Sequence, residues 1–303
     1  MTHSDRQFFA AAFSTRPSEP PPRLISESVQ GKRKLPSNTP FPGPWDNWKT
    51  PYLIEIMDDM SPFSPIQHSV TMKARKIGVT TCAENVAAYW TNCYPTDWAY
   101  TSASEDLVKD WSERKFDDVI DSLGFRHKMG VQSVRGSKRT GDTATRKEFA
   151  GGAADFYSIM SKMATRAQDK RLLIRDEIDA VDVTMTTGEG NRFEVNKAHT
   201  NSWGARRKIM DISSPTTFET SMIYAEYELG DCRKFLVPCP ICGKFQELVF
   251  SFDPDQNFGL KADTTAGNID RAYYLCDFCH EAFFNTDKRW MYQPDPRCKR
   301  HPD

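Results

Sequence analysis

The stretch Met72-Lys73-Ala74-Arg75-Lys76-Ile77-Gly78-Val79-Thr80-Thr81 decides how this chain is read. Ser69–Met72 in front of it has the composition of a short strand, and a helix is predicted behind it from about Thr80 to Trp90. Such a strand–loop–helix junction suits phosphate, because loop amides and the helix N-terminus point at an anion and a hydroxyl can hold magnesium. The match to G-x-x-x-x-G-K-[ST] is incomplete: Lys73 replaces the first glycine and Val79 occupies the lysine position. The phosphates still need a cation, and Lys73, Arg75 and Lys76 are the candidates, with Lys73 first. Gly78 and Thr81 belong to the same junction, and Thr80 is the candidate magnesium hydroxyl. Alone, the segment also fits an ordinary strand–turn–helix.

A second element gives it weight. Leu172-Leu173-Ile174 is a short apolar strand running into Arg175-Asp176-Glu177-Ile178-Asp179, with Asp176 ninety-eight residues after Gly78. In ATP-hydrolysing phosphate-loop proteins the first acid at such a strand end supports Mg²⁺, here Asp176. The next, Glu177, is placed to orient the attacking water. A third strand, Lys208–Ser213, runs into Ser213-Ser214-Pro215-Thr216, a hydroxyl-rich turn suited to sensing a terminal phosphate or to being a plain Ser-Pro turn.

Working outward, short strand-like runs alternate with helical ones from Trp45 to about residue 233, as in an α/β domain. Trp98–Thr101 reads as a strand. Ser104 caps a predicted helix whose apolar face is Leu107, Trp111, Phe116, Val119 and Ile120, and Thr220–Leu229 is the last helix of this region. The first 45 residues carry eight of the nineteen prolines. With six basic against three acidic residues through position 40, residues 1–44 read as an extended basic arm, with order beginning near Trp45 or Trp48. There are no internal repeats.

The chain of 303 residues carries 40 Lys+Arg against 41 Asp+Glu, so a nucleic-acid surface has to be local. Arg126–Lys147 is the one concentration, with seven basic residues and a single acid, Asp142, around the loop Gly136–Gly141. A solvated loop and a phosphate-backbone contact both fit it. No apolar run reaches the length of a membrane span, and Phe8–Phe13 is too short for a signal-peptide core, so a soluble intracellular protein is expected.

Four of the eight cysteines form two knuckles, Cys239-Pro240-Ile241-Cys242 and Cys276-Asp277-Phe278-Cys279, separated by thirty-three residues. Four thiolates on two tight turns suit a closed structural Zn²⁺ site, with a hairpin or extended loop between the pairs. His280 and Cys298 are substitute ligands; Cys82, Cys93 and Cys232 are expected to be buried thiols.

In this order the residues resemble the large terminase subunits of tailed bacteriophages, in the lambda-like branch. The resemblance spans about Trp45–Met291. It is carried by Trp48-Lys49-Thr50-Pro51-Tyr52-Leu53, Met72–Thr81, Thr101–Arg114, Gly151-Gly152, Asp176-Glu177-Ile178-Asp179, Ser213-Ser214-Pro215-Thr216 and Glu226–Asp231 leading to Val237–Gly243. That branch tolerates a phosphate loop with an early basic residue.

The resemblance implies a motor that hydrolyses ATP to drive double-stranded DNA into a procapsid through its portal, in the host cytoplasm. It implies a terminase small subunit as partner and a homo-oligomeric ring, in which a neighbouring subunit's arginine completes the site; Arg166, Arg206 and Arg207 are available. Family members usually carry a C-terminal nuclease; twenty-four residues follow Cys279 here, so no nuclease activity is expected of this chain. The expected fold is therefore an α/β phosphate-loop ATPase core with a mainly parallel sheet over residues 45–233, then a small zinc-ribbon-like β module over 234–303. The alternatives are another DNA-dependent translocase and a non-enzymatic zinc-ribbon binding module on a degenerate phosphate-loop scaffold.

Overall fold

A computed structural model describes residues 20–130, 142–165, 169–181, 191–217, 219–250, 256–265 and 267–292. In chain order it opens with helix α1 (Ile25–Val29), a two-residue ladder of β1 (Lys34–Leu35) and β2 (Gly43–Pro44), and α2 (Tyr52–Asp59). Next come β3 (His68–Met72), α3 (Val79–Asn92), β4 (Trp98–Ser102), α4 (Glu105–Asp110) and α5 (Asp117–Ser122). Then follow β5 (Arg146–Phe149), β6 (Gly152–Ser158), β7 (Leu172–Asp176), α6 (Arg192–Ala198), β8 (Lys208–Ser213) and α7 (Met222–Glu228).

These strands form one sheet in the order β3-β8-β7-β4-β6-β5, parallel except for the edge pair β5–β6. All five parallel strands thus end at one edge, where open α/β sheets bind ligands. There β8 lies between β3 and β7, with Ser213 opposite Met72 and Ile212 opposite Asp176. The hydroxyl turn after β8 is consequently wedged between the phosphate loop and the acids.

The expected strands at Ser69–Met72, Trp98–Thr101, Leu172–Ile174 and Lys208–Ser213 all lie in this sheet. Strand β6 was not anticipated. Its backbone runs so close to the residues that lead into β4 that a Cβ on Gly152 would sit 2.5 Å from the Thr96 carbonyl carbon. Ser104 does cap α4, accepting from Leu107 N at 3.3 Å, but Leu107 itself is exposed and Val108 faces the core. A π-helical turn over Trp111–Phe116 joins α4 to α5. Its extra residue keeps Trp111 and Phe116, five apart, on the same face, where they stack 5.5 Å apart.

The arm expected through residue 44 is corrected from Ile25 onward. Ile25, Val29 and Trp45 are buried in the main core. The cause is electrostatic as well as apolar: Glu84 on α3 is buried, and Arg33 supplies its ion pair. The same guanidinium donates to the Thr81 carbonyl at 3.0 Å and to Asn85 Oδ1. A buried carboxylate without a cation is costly, so this segment folds back onto the helix.

The C-terminal part contains β9 (Val237–Pro238) with β10 (Phe245–Gln246), and β11 (Gly259–Thr265), β12 (Asn268–Leu275) and β13 (Ala282–Phe283). A last helix, α8, spans Lys288–Tyr292. The β11–β12 hairpin is the connection expected between the cysteine pairs. Cys82 is buried as anticipated, whereas Cys93 and Cys232 are only half-buried. No helix among the described residues is long and apolar enough to cross a membrane.

Candidate nucleotide site and four-cysteine centre

The loop Lys73–Gly78 leaves β3 and turns into α3 at Gly78, whose φ of 88° is left-handed and suits glycine. Val79, in the position where a lysine is usual, is buried in the main core. The basic group comes instead from the strand end: Lys73 Nζ lies 2.8 Å from Glu177 Oε1 and 3.4 Å from Ser214 Oγ. Lys73 N donates to the Ser213 carbonyl at 3.0 Å, which fixes that lysine beside the hydroxyl turn. Arg75 and Lys76 are exposed on the loop and line the same cavity.

Opposite, Thr80 Oγ1 donates to Asp176 Oδ2 at 3.3 Å and Tyr100 OH donates to the same oxygen at 3.1 Å. The other oxygen, Asp176 Oδ1, is buried with no hydrogen-bond partner. Burial raises the Asp176 pKa, and the neighbouring Glu177 raises it further. A buried, orphaned carboxylate oxygen beside a threonine hydroxyl fits a magnesium ion, whose charge would reverse that unfavourable setting. Glu177 leaves β7 in a left-handed conformation, φ 56°, with its N–H held by the Ile212 carbonyl at 2.7 Å.

Ser213, Ser214 and Thr216 are all brought to the site, but two of their hydroxyls are committed internally. Ser213 Oγ accepts from Asp179 N at 3.1 Å and donates to the Ser214 carbonyl at 3.2 Å. Thr216 donates through N and Oγ1 to Asp179 Oδ2, at 2.9 and 3.1 Å. Asp179 Oδ1 accepts from Ile223 N in α7 at 2.7 Å. Burial opposes its ionisation, but these hydrogen bonds, with one from Ser221, win and hold its pKa below the usual carboxylate range. Asp179 therefore ties the hydroxyl turn to the acid strand and to α7. In the sequence its only signal is its place two residues after Glu177.

Lys73, Arg75, Lys76, Glu177, Asp179 and the hydroxyl turn line a cavity of about 740 Å³ with Ile77, Gly78, Thr80, Thr81 and Lys115; Asp176 is not in its wall and adjoins it through its bond to Thr80. One wall is aromatic, built by Phe41, Trp45 and Tyr52, of which Phe41 belongs to the segment expected to be extended. Lys115, on the π-helical turn, was also missed; nothing in its local sequence distinguishes it from other surface lysines.

Below β8, His68 Nε2 lies 2.7 Å from Asp211 Oδ2, and both Asp211 oxygens also accept from Arg175, each at 2.6 Å. Burial alone would raise the Asp211 pKa; Arg175 and His68 hold it at about 2. His68, Asp211 and Glu226 form a ligand-like group, but Arg175 already saturates the central carboxylate.

The four predicted cysteines converge. Their Sγ atoms all lie within 4.8 Å of one another, with Cys242–Cys276 at 3.7 Å and Cys239–Cys279 at 4.0 Å. A tetrahedron with bonds of about 2.3 Å has edges of about 3.8 Å, so the spacing matches a Zn²⁺ thiolate site. Knuckle amides of Ile241 and Phe278 donate to Cys239 and Cys276 sulfurs, both at 3.4 Å. His280 turns away to the Asn257 carbonyl, so it is not a fifth ligand. Cys298 lies outside the described residues.

The basic segment is less available than its composition suggests. Arg126 pairs with Asp117 and Asp121, Arg146 with Glu148 and Asp155, and Lys147 with Asp117 and Asp142. Lys128 is bound to Asn92. Arg135, Lys138 and Arg139, and likewise Arg166, lie outside the described residues. Arg206 and Arg207 precede β8, at the end of the sheet opposite the cavity.

The chain is 26% identical over 257 residues to the terminase large subunit of Enterobacteria phage P21, a match covering 80% of this chain and 37% of that protein. It therefore spans little more than a third of that relative's length. Among solved structures it is similar to the HK97 bacteriophage large terminase (12% identity, 68% of this chain and 40% of that one, TM-score 0.45). It is also similar to the large terminase ATPase domain of Thermus phage P74-26 (13% identity, 60% and 72%, TM-score 0.40). The family model for the phage terminase large subunit gpA, ATPase domain, matches residues 39–294, and the chain belongs to that family.

Proposed function

We propose that this chain is the ATP-hydrolysing part of a DNA-packaging motor, coupling hydrolysis to translocation of double-stranded DNA into a procapsid. One observation carries the reading: at the C-terminal edge of the sheet, Thr80 and a Lys73–Glu177 pair line one cavity, and Thr80 is bonded to the buried Asp176, whose other carboxylate oxygen has no hydrogen-bond partner. Thr80 and Asp176 would hold Mg²⁺, which supplies charge neutralisation between the phosphates. Lys73, with Arg75 and Lys76 above it, takes the phosphate charge, and the amides at Gly78 and the α3 N-terminus cradle the phosphates. The aromatic wall of Phe41 and Trp45 receives the base. Glu177, released from Lys73 as phosphate binds, orients a water for in-line attack and accepts its proton. Ser214 lies beside Lys73, and Asp179 links its turn to α7, giving loss of the γ-phosphate a route to the rest of the domain.

The residues up to about 233 act as the nucleotide domain and those from 234 as a module whose fold depends on Zn²⁺ held by Cys239, Cys242, Cys276 and Cys279. Membership of the family supports the remaining parts: a small terminase subunit and a portal as partners, and a ring in which an arginine such as Arg206 or Arg207 serves the neighbouring site. The work would take place at the portal in the host cytoplasm. DNA-stimulated ATPase activity, measured on the wild type and on Glu177→Gln, tests this: activity abolished by the substitution supports it, and DNA binding without any ATP turnover would replace it with the binding-module alternative.

A further inference from the structure

We propose that Tyr52 is a positioning residue that ties the phosphate loop to the four-cysteine module, so that the packing of the module sets nucleotide affinity. The inference rests on reading the cavity as a nucleotide site. Tyr52 opens α2, directly after Pro51, and its hydroxyl donates to the Ile77 carbonyl at 2.9 Å. Burial and the nearby Tyr292 push its pKa up to about 12, so it remains a protonated donor. In a trans peptide the C=O and the following N–H point in opposite directions. A bond that fixes the Ile77 carbonyl therefore also fixes the Gly78 amide, at the left-handed turn that begins α3.

The other side of the Tyr52 ring belongs to the cysteine module. Phe235 and Tyr292 meet it edge-on, at centroid distances of 5.6 and 6.5 Å, and meet each other at 6.1 Å. Both rings come from the C-terminal module and line a groove with Trp48, Pro51 and Ile54 of the nucleotide domain. Phe235 is two residues before β9, which leads into Cys239. Tyr292 follows Met291, which is buried in one cluster with Val237, Cys239, Tyr274, Cys276 and Phe283. Arg233 adds a second tether, reaching Glu55 at 2.6 Å and Asp59 at 3.3 Å on α2. Helix α2 is thus held between the phosphate loop and the module, and Tyr52 touches both.

A double-mutant cycle on Mg-ATP affinity tests the link, using Tyr52→Phe, Phe235→Ala and the pair, with thermal melting of each variant as a fold control. Tyr52→Phe keeps the ring and removes one hydrogen bond, so affinity should fall about two- to tenfold with kcat nearly unchanged. Phe235→Ala removes the module's nearer edge contact to Tyr52, together with the Phe235–Tyr292 contact, and should weaken ATP by a similar factor, while Phe235→Tyr restores it. If Phe235 acts through Tyr52, the double variant is no weaker than the poorer single one. Multiplicative losses, or wild-type affinity in Tyr52→Phe, would overturn the proposal. Should Phe235→Ala not fold, Phe235→Leu runs the same cycle with most of the volume kept. Wild-type protein that binds no ATP would remove the nucleotide reading itself and the proposal with it, a result distinct from binding that is insensitive to both substitutions.

Discussion

Replacing Glu177 with glutamine should tighten ATP binding while nearly stopping turnover. Lys73 is paired with Glu177 at 2.8 Å; the lysine side chain is 7% exposed and the carboxylate 40%. Phosphate has to displace that partner, so the wild type gives up the ion pair on binding. A pair this exposed is worth about 1 kcal/mol at most, and Glu177→Gln removes its charge. Affinity should therefore rise by up to about fivefold. Hydrolysis should fall by about 10²-fold or more, since the group that orients the water is lost. Titration of a fluorescent ATP analogue, followed by anisotropy at about 0.05 and 0.15 M salt, reads the first effect. The advantage of the variant should shrink at the higher salt as the ion pair is screened. Weaker or unchanged binding at both salts would show that Lys73 does not leave Glu177 to meet phosphate, and Arg75 or Lys76 would take its role.

Three further outcomes are expected. The folded-state pKa of Asp211 is depressed to about 2, so its contribution of about 2 kcal/mol is present above about pH 4 and lost as pH falls toward 2. Urea unfolding of the wild type and Asp211→Asn should accordingly give a stability gap that narrows below pH 4, and a constant gap would contradict the assignment. Chelation or Cys276→Ser should unfold the residues from about 234 onward while the nucleotide domain keeps its helices and strands; metal analysis near zero with the module still folded would contradict it. Arg135→Ala, Lys138→Ala and Arg139→Ala together should flatten the salt dependence of DNA binding by up to about 3 log units per log salt without changing basal ATP hydrolysis, and an unchanged slope would return that segment to a solvated loop.

What the sequence disclosed follows from where each signal is stored. Strands β3, β4, β7 and β8 were legible because each is an apolar or β-branched run with a turn or acids at its end, and Asp176-Glu177 and the cysteine knuckles announce themselves by spacing. Strand β6 was hidden by its composition. Gly152-Ala153-Ala154-Asp155 is too small and too charged to read as a core strand, and only the tertiary fold supplies Lys170 and Arg146 to neutralise the buried Asp155. The prolines around residues 20–44 concealed a packed segment whose decisive residue, Arg33, is buried only because Glu84, fifty-one positions later, needs it. Likewise the charge of Arg126–Lys147 read as free because Asp117, Asp121 and Asp155, which neutralise part of it, come from other elements. Tyr52, Lys115 and Asp179 acquire meaning only from what surrounds them in space, and no local pattern contains that.

Phosphate release from Mg-ATP by the purified chain, run beside Glu177→Gln and Lys73→Ala, tests the central claim most directly. The account predicts magnesium-dependent release by the wild type. Glu177→Gln should reduce it by about 10²-fold with nucleotide still bound, and Lys73→Ala should lose both binding and turnover. Wild-type release no faster than that of Glu177→Gln would contradict it.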